Sequence, residues 1–202
     1  MIFIDGQNLF HAARKAFGYT YPNVDPLKLA QKLCTKQKWT LEGTRFYTGV
    51  PDSEDDPDWH KFWTAKKLTM ARAGVHVYSR PLRYRNKTVT LPDGTSHSFL
   101  VGEEKGIDVR IALDIINLAH KRKFDVVLVL SQDQDLSEVA DELRVIAREQ
   151  KRWIKIVSAF PGSPTVKNTR GINNTDWIRI DRKTYDSCLD PKDYRPKKKP
   201  RK

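Results

Sequence analysis

Asp5, Asp108, Asp133 and Asp135 are the residues of this 202-residue chain best placed to do chemistry, and they sit on three separate segments. Oxygen donors of this kind suit a hard divalent ion such as Mg²⁺ or Mn²⁺, with waters completing the shell. Clustered carboxylates repel one another, so without a cation some would hold protons. Such an ion activates a water and offsets charge on a phosphodiester. Asp5 closes the short apolar run Ile2-Phe3-Ile4. Asp133 and Asp135 follow the apolar run Val126–Leu130 and Ser131. Asp5 could instead cap the helix that follows it. Asp135 could cap the next helix, with Glu138 completing a capping box. One helix start needs one cap, so capping does not account for Asp133 as well. Asp108 lies about 200° around a helix from Arg110, and Arg110, Asp114, Asn117 and Lys121 read as the solvent face. That turns Asp108 toward Ala112, Ile115, Ile116 and Ala119, where a carboxylate is costly unless compensated. The first turn also favours negative charge through the helix dipole, but this does not explain an inward direction. The five histidines show no paired metal spacing, and no nucleophile elbow supports a Ser/His/Asp hydrolase.

The elements that must position these residues alternate. Residues 1–5 read as a strand, Gln7–Phe17 as a helix, and Asp25-Pro26 as the capped start of a second helix. Thr44–Val50 follows as a strand, 51–57 as an acidic loop, 58–73 as a helix stopped by Gly74, and Val75–Ser79 as a strand. Leu82–Val101 reads as a hairpin arm around the turn Pro92-Asp93-Gly94, with Arg83, Arg85 and Lys87 on its first half. Then come a helix over Gly106–Lys121, a strand over Asp125–Ser131 and a helix over Asp135–Glu149. A strand over Ile154–Ala159, a polar loop over 163–174 and a short strand over Trp177–Ile180 finish the series. This predicts an α/β fold, a three-layer α/β/α arrangement about a mainly parallel sheet. Ligands of such sheets gather beyond the carboxyl ends of the strands, which is where Asp5 and Asp133 fall.

Bulk properties bound the partners. Hydrophobic residues make up 39% and charged residues 31% of the chain, and no apolar run reaches the ~20 residues of a membrane span. No basic leader precedes an apolar stretch at Met1, so a secretory signal is not expected. Cys34 and Cys188 are too few and too far apart for a disulfide framework or a four-thiolate zinc site. A cytoplasmic location is expected, or a nuclear one if the host is a eukaryote. The net charge of +12 points to a polyanion, and seven Lys or Arg against one Asp in 192–202 supply +6 of it. Residues 1–187 therefore read as one domain and 188–202 as a disordered basic tail.

Three segments carry a resemblance. Phe3-Ile4-Asp5-Gly6-Gln7-Asn8, Glu104-Lys105-Gly106-Ile107-Asp108-Val109 and Ser131-Gln132-Asp133-Gln134-Asp135 resemble, in order and over about Met1–Ala159, the NYN domains of the PIN-like and 5′-nuclease superfamily. The resemblance implies a Mg²⁺- or Mn²⁺-dependent nuclease that usually acts on RNA. By position it implies an acidic site of Asp5, Asp108, Asp133 and Asp135, with Asn8 beside the metal and Asp114 as a second-rank acidic position. Gln132 stands where the family usually has Gly, and Leu136 where it usually has Phe. Lys105, Arg83, Arg85 and Ser131 are the expected substrate contacts, and Tyr47, Tyr84, Trp59 and Trp63 the aromatics available for base stacking. Residue types alone do not separate RNA from single-stranded DNA. A non-catalytic RNA-binding module on the same fold is the main competing reading. A TOPRIM-type domain would need Glu where Asp5 stands, and a haloacid-dehalogenase-type phosphatase Asp where Gln7 stands. Trp59 or Trp177 could mark a homodimer face.

Overall fold

The computed structural model describes residues 1–166 and 170–196. Among the described residues eight strands form: β1 (Ile2–Asp5), β2 (Thr44–Val50), β3 (His76–Pro81), β4 (Arg83–Thr90), β5 (Ser96–Glu103), β6 (Val126–Leu130), β7 (Lys155–Pro161) and β8 (Asp176–Ile180). The helices are α1 (Gly6–Phe17), α2 (Pro26–Gln37), α3 (Pro57–Arg72), α4 (Ile107–His120), α5 (Ser137–Glu149) and the short α6 (Arg182–Asp186). Six strands form one parallel sheet in the order β3-β2-β1-β6-β7-β8. β4 and β5 form a separate antiparallel hairpin. The expected α/β fold with an inserted hairpin is present.

Strand alternation sorts the core into two layers. Ile2, Ile4, Phe46, Leu128 and Leu130 pack with Leu9, Ala13, Leu29, Leu33 and Phe62 of α1, α2 and α3. Phe3, Tyr47, Val127 and Val129 pack with Ile107, Ile111 and Ile115 of α4 and Val139 and Leu143 of α5. The helix starts follow their sequence signals. Asp25 accepts from the amides of Leu27 and Lys28 with Pro26 in the first turn, and Asp56 accepts from Trp59 ahead of α3.

Two expectations are corrected. The solvent face of α4 includes Asn117 and Lys121 as expected, but it continues through Val109 and Leu113 rather than through Asp114. Asp114 is buried beside Ile111 and Ile115, whereas Val109 and Leu113 are 57% and 60% exposed. Partners on the sheet reverse the simple wheel: Asp114 Oδ2 accepts from Tyr47 Oη at 2.8 Å and from Arg45 at 3.3 Å, and Arg110 pairs with Oδ1 at 2.8 Å. The second correction concerns the tail, which does not begin at residue 188. Cys188 is buried, Leu189 bridges Val24, and Asp190 pairs at 3.0 Å with Lys66, a residue 1% exposed. Tyr194 meets Phe62 edge-on. Residues 197–202, which carry most of the basic tail, lie outside the described residues.

Candidate active site

The strand order runs outward in two directions from β1, so the crevice between β1 and β6 is the switch point of the sheet. Asp5 ends β1 there. Ile2 and Ile4 belong to one layer and Phe3 to the other, so alternation sends Asp5 to the side that carries α4. Its Oδ1 accepts from the amide of Asn8 at 3.0 Å, which caps α1. Its Oδ2 accepts from Ser131 Oγ at 3.3 Å, and Ser131 Oγ in turn accepts from the amide of Asp133 at 3.1 Å. One hydroxyl thus ties the end of β1 to the turn after β6. Burial pushes the Asp5 carboxyl up to about 6; the two hydrogen bonds oppose this, and the nearby charges of Asp133 and Asp108 add to it.

Glu104 joins this set, although sequence reasoning did not single it out. It stands where β5 returns to α4, and its carboxylate accepts from the amide of Gly49 at the end of β2. Burial raises its pKa to about 7, the nearby charge of Asp5 and more weakly that of Asp108 add to this, and the Gly49 amide opposes it. Its position at the head of the second motif was the available signal. Asp108 is half-buried in the first turn of α4, where Gly106, at φ 70°, makes the turn into the helix. Arg80 is a second residue the sequence did not flag. A Cβ on Gly106 would lie 2.6 Å from Arg80 Nη1, which sets that guanidinium against the start of α4.

The capping roles differ from the expected ones. Asp133, half-buried, caps the 3-10 turn Gln134–Leu136 by accepting from the amide of Asp135 at 3.1 Å. Asp135 caps nothing: α5 begins without a side-chain cap, and Asp135 is exposed at the mouth of the rim. Asn8 Oδ1 accepts from the amide of Gln132 at 2.9 Å, so Asn8 positions the turn after β6. Gln132 does not occupy the left-handed region, so the turn holds without the family's glycine. Instead Gln132 and Gln134 reach the carbonyls of Arg170 and Gly171 at 2.6 and 3.0 Å and hold the following loop. Asp114, ion-paired as above, lies away from these carboxylates on the Tyr47 side of α4. Lys105, Arg83 and Arg85 are exposed; Arg85 faces Glu103 at 3.8 Å, a surface pair of little energetic weight. Of the aromatics, Tyr47 and Trp63 are buried in the core, which removes them as stacking platforms; Trp59 and Tyr84 are partly open.

Among the described residues, none of Asp5, Glu104, Asp108, Asp133 and Asp135 forms a salt bridge. Nor do three or more His, Cys, Asp or Glu side chains close into a ready metal cage among those residues. The donor set still fits a small hard cation. Mg²⁺ keeps several waters and is commonly held by one or two carboxylates together with substrate oxygens, so a closed cage is not required.

Helix α1 separates two clefts at this rim. One, of about 380 Å³, has walls from Gln7, Phe10, Trp59 and Tyr84. The other, of about 220 Å³, is lined by Asn8, His11, Lys15 and Gln132. A larger cleft of about 460 Å³ lies at the opposite edge, by Met1 and Val126. It is remote from the carboxylates and from the strand ends where such sheets bind ligands.

The fold is that of a PIN-like α/β domain. The sequence model described as NYN domain matches residues 1–169, and the chain belongs to that nuclease-type family. A crystal structure of a protein of unknown function from Vibrio parahaemolyticus RIMD 2210633 superposes with a TM-score of 0.53 at 22% identity, covering 90% of this chain and 91% of that one. This likeness supports the fold. A ribokinase from Giardia lamblia, at 9% identity and TM-score 0.34 over 61% of this chain and 36% of that one, is too distant to carry an argument. No curated protein matches the sequence. No helix among the described residues is long and apolar enough to cross a membrane.

Proposed function

We propose that the chain is a metal-dependent endoribonuclease, hydrolysing RNA phosphodiester bonds at the rim where β1 and β6 end. The observation that carries this reading is the convergence of Asp5, Asp108, Asp133 and Glu104 at the switch point, none of them in a salt bridge among the described residues. Asp5, Asp108 and Asp133 would hold Mg²⁺ or Mn²⁺, with Asp135 at the mouth. Bound there, the ion would supply a Lewis acid and lower the pKa of a coordinated water. Ser131 orients the Asp5 carboxylate by donating to Oδ2 and fixes the Asp133 backbone through the same oxygen. Asn8 holds the turn that carries Asp133 and Asp135. Glu104, whose carboxyl burial raises to about 7, would exchange a proton near neutral pH. Lys15, Lys105 and Arg80 supply positive charge around the rim for phosphates.

The test is cleavage of labelled single-stranded RNA with Mg²⁺ or Mn²⁺. Asp5→Asn, Asp108→Asn and Asp133→Asn are each expected to lower the rate at least ~100-fold, in line with the loss of a transition-state interaction. Rates equal to wild type would remove the site assignment. Single-stranded DNA of the same sequence belongs in the same assay.

The absence of a closed metal cage among the described residues favours a second reading, a non-catalytic RNA-binding module. It predicts salt-sensitive RNA binding with no cleavage under any divalent ion.

A further inference from the structure

The cleft on the α3 side of α1 has a composition that the cleavage reading does not use. Its walls are aromatic: Phe10 on α1, Trp59 on α3 and Tyr84 on the hairpin. Trp59 is held by an edge contact with Phe62, ring centroids 4.9 Å apart, and remains partly open. Gln7 lies between Phe10 and the acidic rim. At the inner end Gly49 has no room for a side chain: a Cβ there would collide with Leu82 Cδ2 and lie 2.9 Å from Glu104 Oε2 and 3.3 Å from Gln7 Nε2. The inner end of the groove is thus closed by Gly49 and Leu82, with Glu104 packed against Gly49 behind it. Its volume of about 380 Å³ is within the roughly 300–1,000 Å³ of sites that take a small planar ligand.

Charge decides what can enter. Asp56 lines the cleft, and Asp52, Asp55 and Asp56 all lie near enough to act on the Tyr84 hydroxyl. A phosphate is repelled from such a wall, whereas a neutral base is not. Asp56 Oδ1 is used by the Trp59 amide at 3.1 Å, leaving Oδ2 with no hydrogen-bond partner among the described residues. A carboxylate is an acceptor only, so it favours a base edge that donates. Guanine offers adjacent N–H donors, while uracil offers one N–H between two carbonyls. On the other side of α1 the second cleft, lined by Lys15, Asn8 and Gln132, carries no Asp or Glu in its walls among the described residues.

We propose that this groove is a base subsite: it stacks one nucleobase of the bound strand between Tyr84, Trp59 and Phe10 and, through Asp56, prefers guanine to uracil. That its occupant belongs to a nucleic-acid strand rests on the nuclease reading of the rim.

Binding is measured by fluorescence anisotropy with labelled RNA octamers in EDTA, so that cleavage plays no part. The probes are oligouridine and the set in which one guanine replaces uracil at each position in turn. Wild type binds the best single-guanine octamer about ten-fold more tightly than oligouridine, the size expected for one stacked and recognised base. Tyr84→Ala and Trp59→Leu lose that preference, and Tyr84→Phe retains it. Asp56→Asn keeps the helix cap, since Asn caps as well as Asp, but removes the carboxylate; it levels guanine and uracil without weakening oligouridine binding. Equal binding of all octamers by wild type, or a preference that survives in Tyr84→Ala and Trp59→Leu, overturns the subsite. Asp5→Asn separates the two readings. It abolishes cleavage and leaves the guanine preference, and a wild type that shows the preference but never cleaves with Mg²⁺ or Mn²⁺ supports the groove while removing the nuclease.

Discussion

At Asp5 two hydrogen bonds favour the ionised carboxylate, yet burial outweighs them and its pKa rises to about 6. Glu104 rises further, to about 7, for the same first cause. Each group holds its proton more firmly in the folded chain than in the unfolded one. Their stabilising contribution is therefore full below the ordinary carboxylate range near pH 4. It is lost as pH climbs through about 6 for Asp5 and about 7 for Glu104. Without metal, Asp5→Asn and Glu104→Gln should match wild type in Tm near pH 4 and exceed it by several degrees at pH 8, at ~2 kcal/mol per group. Thermal denaturation at both pH values checks this; parallel profiles for wild type and variants would contradict it. Asp5 and Asp133 were legible in the sequence because strand ends are legible. Glu104 was not, because its backbone partner is the amide of Gly49, a residue on another element that only the folded chain brings near. Asp133 and Asp135 exchanged roles for a local reason: a 3-10 turn intervenes before α5 and moves the cap two residues upstream.

At the scale of elements, the alternation of strands and helices was plain from the sequence, and the placement of α4 was not. Its wheel reads Asp114 as outward because charge alone decides a wheel, whereas Tyr47 and Arg45 on β2 draw Asp114 inward. The entry to α4 depends on Gly106 at φ 70° against Arg80. Gly106→Ala adds a Cβ where the left-handed backbone and the guanidinium both resist it. The expected cost is ~1–2 kcal/mol in urea unfolding, with weakened cleavage because Glu104 and Asp108 flank the turn. A variant as stable and active as wild type would show that the turn relaxes freely.

Across the whole molecule the C-terminal segment acts as a strap. Lys66 Nζ, 1% exposed, donates to the Val24 carbonyl at 2.9 Å and to Asp190 at 3.0 Å, joining α3, the loop before α2 and the chain after α6. Burial lowers the lysine pKa, and the Asp190 carboxylate opposes that shift. Lys66→Met leaves Asp190 poorly solvated and unpaired, which should cost ~3–5 kcal/mol and lower Tm by about 10 °C; an unchanged Tm would show that the strap carries no weight. Composition misread residues 188–196 as tail because their anchor is more than a hundred residues away in sequence. The net charge of +12 also acts at this scale. RNA binding should weaken steeply between 50 and 200 mM salt, ~10³-fold if six phosphates are neutralised.

The central claim is that the carboxylates at the β1–β6 switch point hold a divalent cation, and direct Mn²⁺ binding tests it most closely. Titration of Mn²⁺ into the metal-free protein, followed by loss of the free-ion EPR signal, should give saturable binding that Asp5→Asn and Asp133→Asn each weaken at least about ten-fold. Asp114→Asn, on the ion-paired face of α4, should leave it unchanged. Equal Mn²⁺ affinity in wild type, Asp5→Asn and Asp133→Asn, or no saturable binding by wild type, would contradict the account.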